Sequence, residues 1–202
     1  MACPNASNLN TTQKDVLAQI TYVGDSRGFS DQMIQFALKA AFIESSLGLN
    51  TGASRPGGDH MGLFQYDTIT WNELGHSGDR MSNEAQINAF FDDILKYTER
   101  YNALQPADRG NLSLEQYVYL KHHDGNNYTN WNNSPGVNIF NSTCFETDIT
   151  TQGPDGVNSG GGGINYMFMF VPSWYGYDDL PVGTVTVGPV TPAPGEDGDG
   201  EY

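Results

Sequence analysis

Apolar residues recur at helical spacing in four stretches, separated by turns rich in Gly, Pro, Ser and Asn. Over residues 11–23, Val16, Leu17, Ile20 and Val23 form one apolar side, and Thr12 with Asp15 makes a weak capping box. Gly24-Asp25 and Arg27-Gly28 predict its end. A second helix opens at Ser30, a good N-cap, with Asp31 in the first turn where the helix dipole favours negative charge. Met33, Ile34, Ala37, Leu38, Ala41 and Phe42 make its stripe, and Gly48 stands where a left-handed cap would close it. Residues 49–61 read as a loop because Pro56-Gly57-Gly58 neither continues a helix nor suits a sheet interior.

Further on, residues 68–74 predict a short helix capped by Asp67 or Thr68, in which Trp71 reads as core and His76, just beyond, as solvent-exposed. Residues 82–101 predict a long helix with Ile87, Phe90, Phe91, Ile94, Leu95, Thr98 and Tyr101 inward; Glu84, Asp92, Asp93, Lys96 and Glu99 take the wet side. Ser113-Leu114-Glu115-Gln116 is a capping box, and its helix runs to His122-His123-Asp124-Gly125. Residues 126–143 are rich in Asn, with Tyr128 and Trp131 interleaved. Such amides and aromatic faces suit carbohydrate, but the composition reads first as a loop. The fold class expected is mainly α.

Glu44 stands out chemically. With Ala37 set at zero, a turn of about 100° per residue puts Glu44 about 20° short of it, at the edge of the buried stripe. A carboxylate there loses hydration, which raises its pKa toward a range where it donates a proton, as protonation of a glycosidic oxygen requires. The plainer alternative is a helix-end Glu that turns to water or pairs with Arg55.

The loop after this helix adds a second motif. Glu44-Ser45, a Gly-containing loop and then Gly62-Leu63-Phe64-Gln65 together resemble the catalytic core of lytic transglycosylases of the SLT type and goose-type lysozymes. Phe64 stands where Met is commoner. The resemblance covers roughly residues 30–125 and implies a lysozyme-like (α+β) domain, with a small sheet or loop lobe beside the cleft. It implies Glu44 as catalytic acid, and Ser45, Gly62, Leu63, Phe64, Gln65, Tyr119, His122 and His123 as substrate-binding residues. Gly58-Asp59 and Gln65-Tyr66-Asp67 match the goose-type arrangement in which aspartates position water; Asp59 and Asp67 equally suit turns and caps. Matching the glycine of the family's Ala-Tyr-Asn-Ala-Gly to Gly125 sets His122 in the place of the Tyr that reaches toward the catalytic Glu, and His123 in that of the Asn. His122 would then bond Glu44 or a sugar; alternatively, the His pair simply favours the helix C-terminus.

The chain has 202 residues and a net charge of −15. Residues 1–121 hold all nine basic and 14 acidic residues, whereas residues 122–202 hold ten acidic ones and no Lys or Arg. Nucleic acid is an unsuited partner, since phosphate binding needs clustered cations. The acidic excess reads as solubility or adaptation to salt, or as a tail that docks on something basic. No apolar run approaches the roughly 20 residues of a membrane span, and the start, MACPNASNLN, does not resemble a secretory signal. Cys3 and Cys144 bracket the catalytic region, either bonded to each other or as free thiols. No spacing resembles a zinc site, and no metal or organic cofactor is implied.

The expected domain organisation is a peptidoglycan-cleaving domain over 1–150 and a Gly-rich linker over 151–163. An aromatic arm and acidic Pro/Gly tail then fill 164–202, and dock either on the domain or on a partner such as a phage structural protein. The expected function is cleavage of the bond between N-acetylmuramic acid and N-acetylglucosamine of a peptidoglycan glycan strand. The lyase version leaves 1,6-anhydromuramic ends. The rivals are a goose-type hydrolase and an inactive wall-binding or structural module. A phage virion protein acting in the cell-wall or periplasmic space fits a start without a signal.

Overall fold

A computed structural model describes residues 8–52, 57–130 and 133–145. They form a mainly α unit of seven helices: α1 (Thr11–Ser26), α2 (Asp31–Ser45), α3 (Thr68–Leu74), α4 (Asn83–Ala103), α5 (Pro106–Arg109), α6 (Leu114–His123) and α7 (Pro135–Ser142). Among the described residues there is no strand, only an isolated bridge between Met61 and Tyr66. The linker over 151–163, the arm and tail over 164–202, Cys3, Arg55 and Trp131 lie outside the described residues. Cys144 is disulfide-bonded. Among the described residues no helix is long and apolar enough to cross a membrane.

Helix α1 packs on α2 and α4, α6 on α4 and α7, and α2 also on α6 and α7. Ile20, Ile34, Leu38, Phe64, Phe90 and Tyr119 lie at the centre, sealed from solvent. Phe64 stacks on Phe90 with ring centroids 4.1 Å apart, which ties the loop after α2 to the middle of α4.

Caps set most boundaries. Ser30 accepts from Met33 N and Ser113 from Gln116 N, as their positions predict. For α1 the capping box falls on Asn10 and Gln13 rather than on Thr12 and Asp15. Gly24 does not break α1; a Cβ there would stand 2.6 Å from Ile34 Cγ1 and 2.8 Å from Phe91 Cζ, so this glycine allows close packing on α2 and α4. The left-handed cap of α2 is Ser46, two residues before the expected Gly48, and both Ser46 and Leu47 adopt left-handed backbone (φ 53° and 55°). Burial of the Leu47 side chain compensates that strain.

Other expectations need correction. Asp93, assigned to the wet side of α4, is 1% exposed, whereas Leu95, assigned to the core, is 52% exposed. The His76 side chain is only 6% exposed, because it bonds to Asp93. Residues 126–143 are not loop throughout: Ser134 caps α7 and Pro135 starts it. Trp71 is core, as read.

Candidate active site

Glu44 occupies the last turn of α2, and the way the helix ends positions it. The Ser45 hydroxyl donates to Ala41 O (3.1 Å) and accepts from Gly48 N (2.9 Å), so the chain turns sharply away and leaves Glu44 at the rim. The Glu44 side chain is 13% exposed. Tyr119, on α6, donates its hydroxyl to Glu44 Oε1 at 2.6 Å. Burial first, and then the Glu44 charge, hold the Tyr119 phenol far above its usual range, so it remains a donor.

His122 lies one turn further along α6. Its Nε2 is 2.9 Å from Phe64 O, and a carbonyl only accepts, so Nε2 carries the proton. The same nitrogen is 3.9 Å from Glu44 Oε1, outside hydrogen-bond range. Burial lowers the pKa of His122, opposed in part by the charges of Glu44 and Asp93 and by the bond to Phe64. Matching by glycine therefore misplaces the contact: Tyr119, not His122, is the ring bonded to Glu44.

The wall beside them is the turn from Gly62 to Gln65. It is closed by Met61 N donating to Tyr66 O at 3.2 Å, with Gly62 (φ 86°) and Gln65 (φ 52°) both left-handed. Gln86, 0% exposed on α4, braces it from behind. Its Oε1 accepts from Phe64 N (2.6 Å), and its Nε2 donates to Met61 O (2.9 Å) and Arg80 O (2.6 Å). The Gln65 amide donates to Gly62 O at 2.9 Å and to Asn50 O at 3.3 Å; its Oε1 is buried without a partner. Beyond the turn, the Tyr66 hydroxyl donates to Asp93 Oδ2 at 2.6 Å. His76 Nε2 stands 3.2 Å from both Asp93 oxygens but is aligned as a donor only to Oδ2.

Glu44, Tyr119, His122 and the Phe64 carbonyl thus converge. Ser45, Leu63, Phe64 and Tyr119 are nevertheless buried, with exposures of 0–1%, so their side chains brace the site and do not offer a face to a ligand. His123 turns aside to Asp124, with Nδ1 2.7 Å from Oδ1. Asp59 accepts from Thr68 N (2.7 Å) and from Arg80 (2.8 Å); these bonds, Thr68 first, hold its carboxyl below the usual range. Asp67 caps α3 through Thr70 N (2.6 Å) and Thr70 Oγ1 (2.9 Å). No site role for Gln86, Arg80, Asp93 or His76 is legible in the sequence, because a polar side chain does not reveal a buried partner more than a dozen residues away.

Buried, neutral His122 makes stability depend on pH. Its folded pKa lies below the unfolded value near 6.5. Between those two values the unfolded chain binds more protons, so stability falls as pH drops below about 6.5, at up to about 1.4 kcal/mol per pH unit. Urea midpoints measured between pH 7 and pH 5 should decline less steeply for His122→Gln than for the wild type. Parallel declines would show that His122 does not carry the dependence.

No family model matches this chain, nor does any curated protein or solved structure.

Proposed function

We propose that the protein is a lysozyme-like enzyme that cuts the β-1,4 bond between N-acetylmuramic acid and N-acetylglucosamine in peptidoglycan, with Glu44 as general acid. The observation that carries this reading is the pairing of a largely shielded Glu44 with the Tyr119 hydroxyl at 2.6 Å, next to the left-handed glycine turn. A shielded carboxyl keeps its interactions strong and is positioned before substrate arrives. Glu44 would protonate the bridging oxygen as the bond to the sugar's anomeric carbon breaks. The neighbouring acetamide oxygen would stabilise the cation. Glu44, now a carboxylate, would take the proton of the 6-hydroxyl as that oxygen closes on the anomeric carbon, giving a 1,6-anhydro end.

This lyase route needs one carboxylate. The hydrolase needs a second group to hold water, and an inverting pair stands roughly 6.5–9.5 Å apart. Asp59 and Asp67 are the candidates, and both are engaged in clamp and cap contacts. Those contacts favour the lyase. Within this reading the protein is carried in a phage particle and acts locally on the host wall, with residues 164–202 as the segment that docks to particle proteins.

Mass analysis of muropeptides released from purified sacculi tests it. The lyase leaves anhydromuramic ends, lighter by one water than the reducing ends left by a hydrolase. Reducing ends alone would return Asp59 and Asp67 to the chemistry, and no release at all would favour a binding module.

A further inference from the structure

Behind the glycine turn lies a buried carboxylate that the chemistry above does not use. The Asp93 side chain is 2% exposed. An apolar residue at this position would continue the stripe of Phe90, Ile94 and Tyr97, whereas a buried carboxylate is costly unless its hydrogen bonds are met. Its partners are two donors, the Tyr66 hydroxyl and His76 Nε2. Both donate to Oδ2, and Oδ1 is buried without a partner; an amide with its oxygen in the place of Oδ2 would set its NH2 in the place of Oδ1, 3.2 Å from His76 Nε2.

Tyr66 directly follows the Gly62–Gln65 turn, and Arg80 holds its carbonyl. The Tyr66 ring stands edge-on to His122, with centroids 5.0 Å apart at 79°. His122 in turn depends on the Phe64 carbonyl for the bond that sets its tautomer, 3.9 Å from Glu44. We propose that Asp93 is a positioning residue of the Glu44 site: it fixes Tyr66, and through Tyr66 the turn whose Phe64 carbonyl orients His122 beside the acid. The inference rests on reading Glu44 as the acid, but its structural half is testable separately.

The test compares Tyr66→Phe, Asp93→Ala and Asp93→Asn in the full chain. In the wild type at neutral pH, imidazole nitrogen NMR shifts of His122 should report the Nε2–H tautomer alone. Tyr66→Phe and Asp93→Ala should give averaged tautomers and lower kcat for muropeptide release about tenfold, with KM within about twofold. Asp93→Asn, which still accepts from Tyr66 once His76 switches tautomer, should stay near wild type in both. Unchanged His122 shifts in Tyr66→Phe would overturn the proposal, whatever the activity. Tyr66→Phe removes a single hydroxyl and carries the test alone if Asp93→Ala does not fold. A wild type that releases nothing would sink the Glu44 reading, while the nitrogen shifts still decide whether Asp93 places His122.

Discussion

Glu44→Gln should lower muropeptide release by at least about a thousandfold, toward the upper part of what general-acid catalysis contributes. The amide cannot donate a proton to a glycosidic oxygen, yet it matches the acid in size and offers an oxygen to Tyr119. The Tyr119–Glu44 contact at 2.6 Å can therefore survive as a neutral hydrogen bond. The thermal midpoint should stay within about 5 °C of wild type, a stability change of order 1 kcal/mol. That separation matters, because a loss of activity with the fold intact isolates the proton. A zymogram with wild type and variant side by side gives the readout. Clearing that survives the substitution would remove Glu44 from the mechanism. A wild type that clears nothing but still sediments with sacculi would point to the binding module.

What the sequence made legible was local chemistry. Ser30, Asp67 and Ser113 cap helices where their spacing predicts, because a capping hydroxyl or carboxylate needs only the backbone N–H two or three residues ahead. Glu44 lies at the edge of a buried stripe, and a wheel drawn from Ala37 suffices to place it. Residue type misleads where it conflicts with spacing. Gln86, Phe90, Asp93 and Tyr97 follow one another at intervals of four, three and four, which puts all four on one line of α4, and all four are buried. Reading Asp93 as wet and Leu95 as dry followed polarity against that spacing. Tertiary partners were the other blind spot: Gln86 bonds a residue 22 positions away and Asp93 one 27 away, and nothing local announces either. The same limit misplaced His122. Aligning glycines chose a neighbour on the same face of α6, and only the packing of α6 on α2 shows that Tyr119 reaches the acid.

Gly62→Ala should be the most damaging single methyl in the described fold. Two costs combine there. The backbone at Gly62 has φ 86°, where an L side chain costs roughly 1–2 kcal/mol. The new Cβ would also stand 1.8 Å from Gln86 Nε2 and 2.6 Å from its Cδ. Gln86 has nowhere to go: it is fully buried, and both ends of its amide are bonded to backbone at Met61, Phe64 and Arg80. Displacing it strands buried backbone groups at about 1–3 kcal/mol. The sum is about 2–5 kcal/mol, a fall of roughly 4–20 °C in thermal midpoint. Gly28→Ala provides the control, since Gly28 has φ 74° and nothing within 4 Å of its would-be Cβ; only the backbone cost, roughly 1–2 kcal/mol, should remain. If Gly62→Ala proved no worse than Gly28→Ala, Gln86 would not be braced against the turn. The double variant Gly62→Ala/Gln86→Ala gives the sharper reading. Removing Gln86 opens the space that the methyl needs, so the two losses should fall short of additive by more than about 1 kcal/mol, as expected for side chains in direct contact.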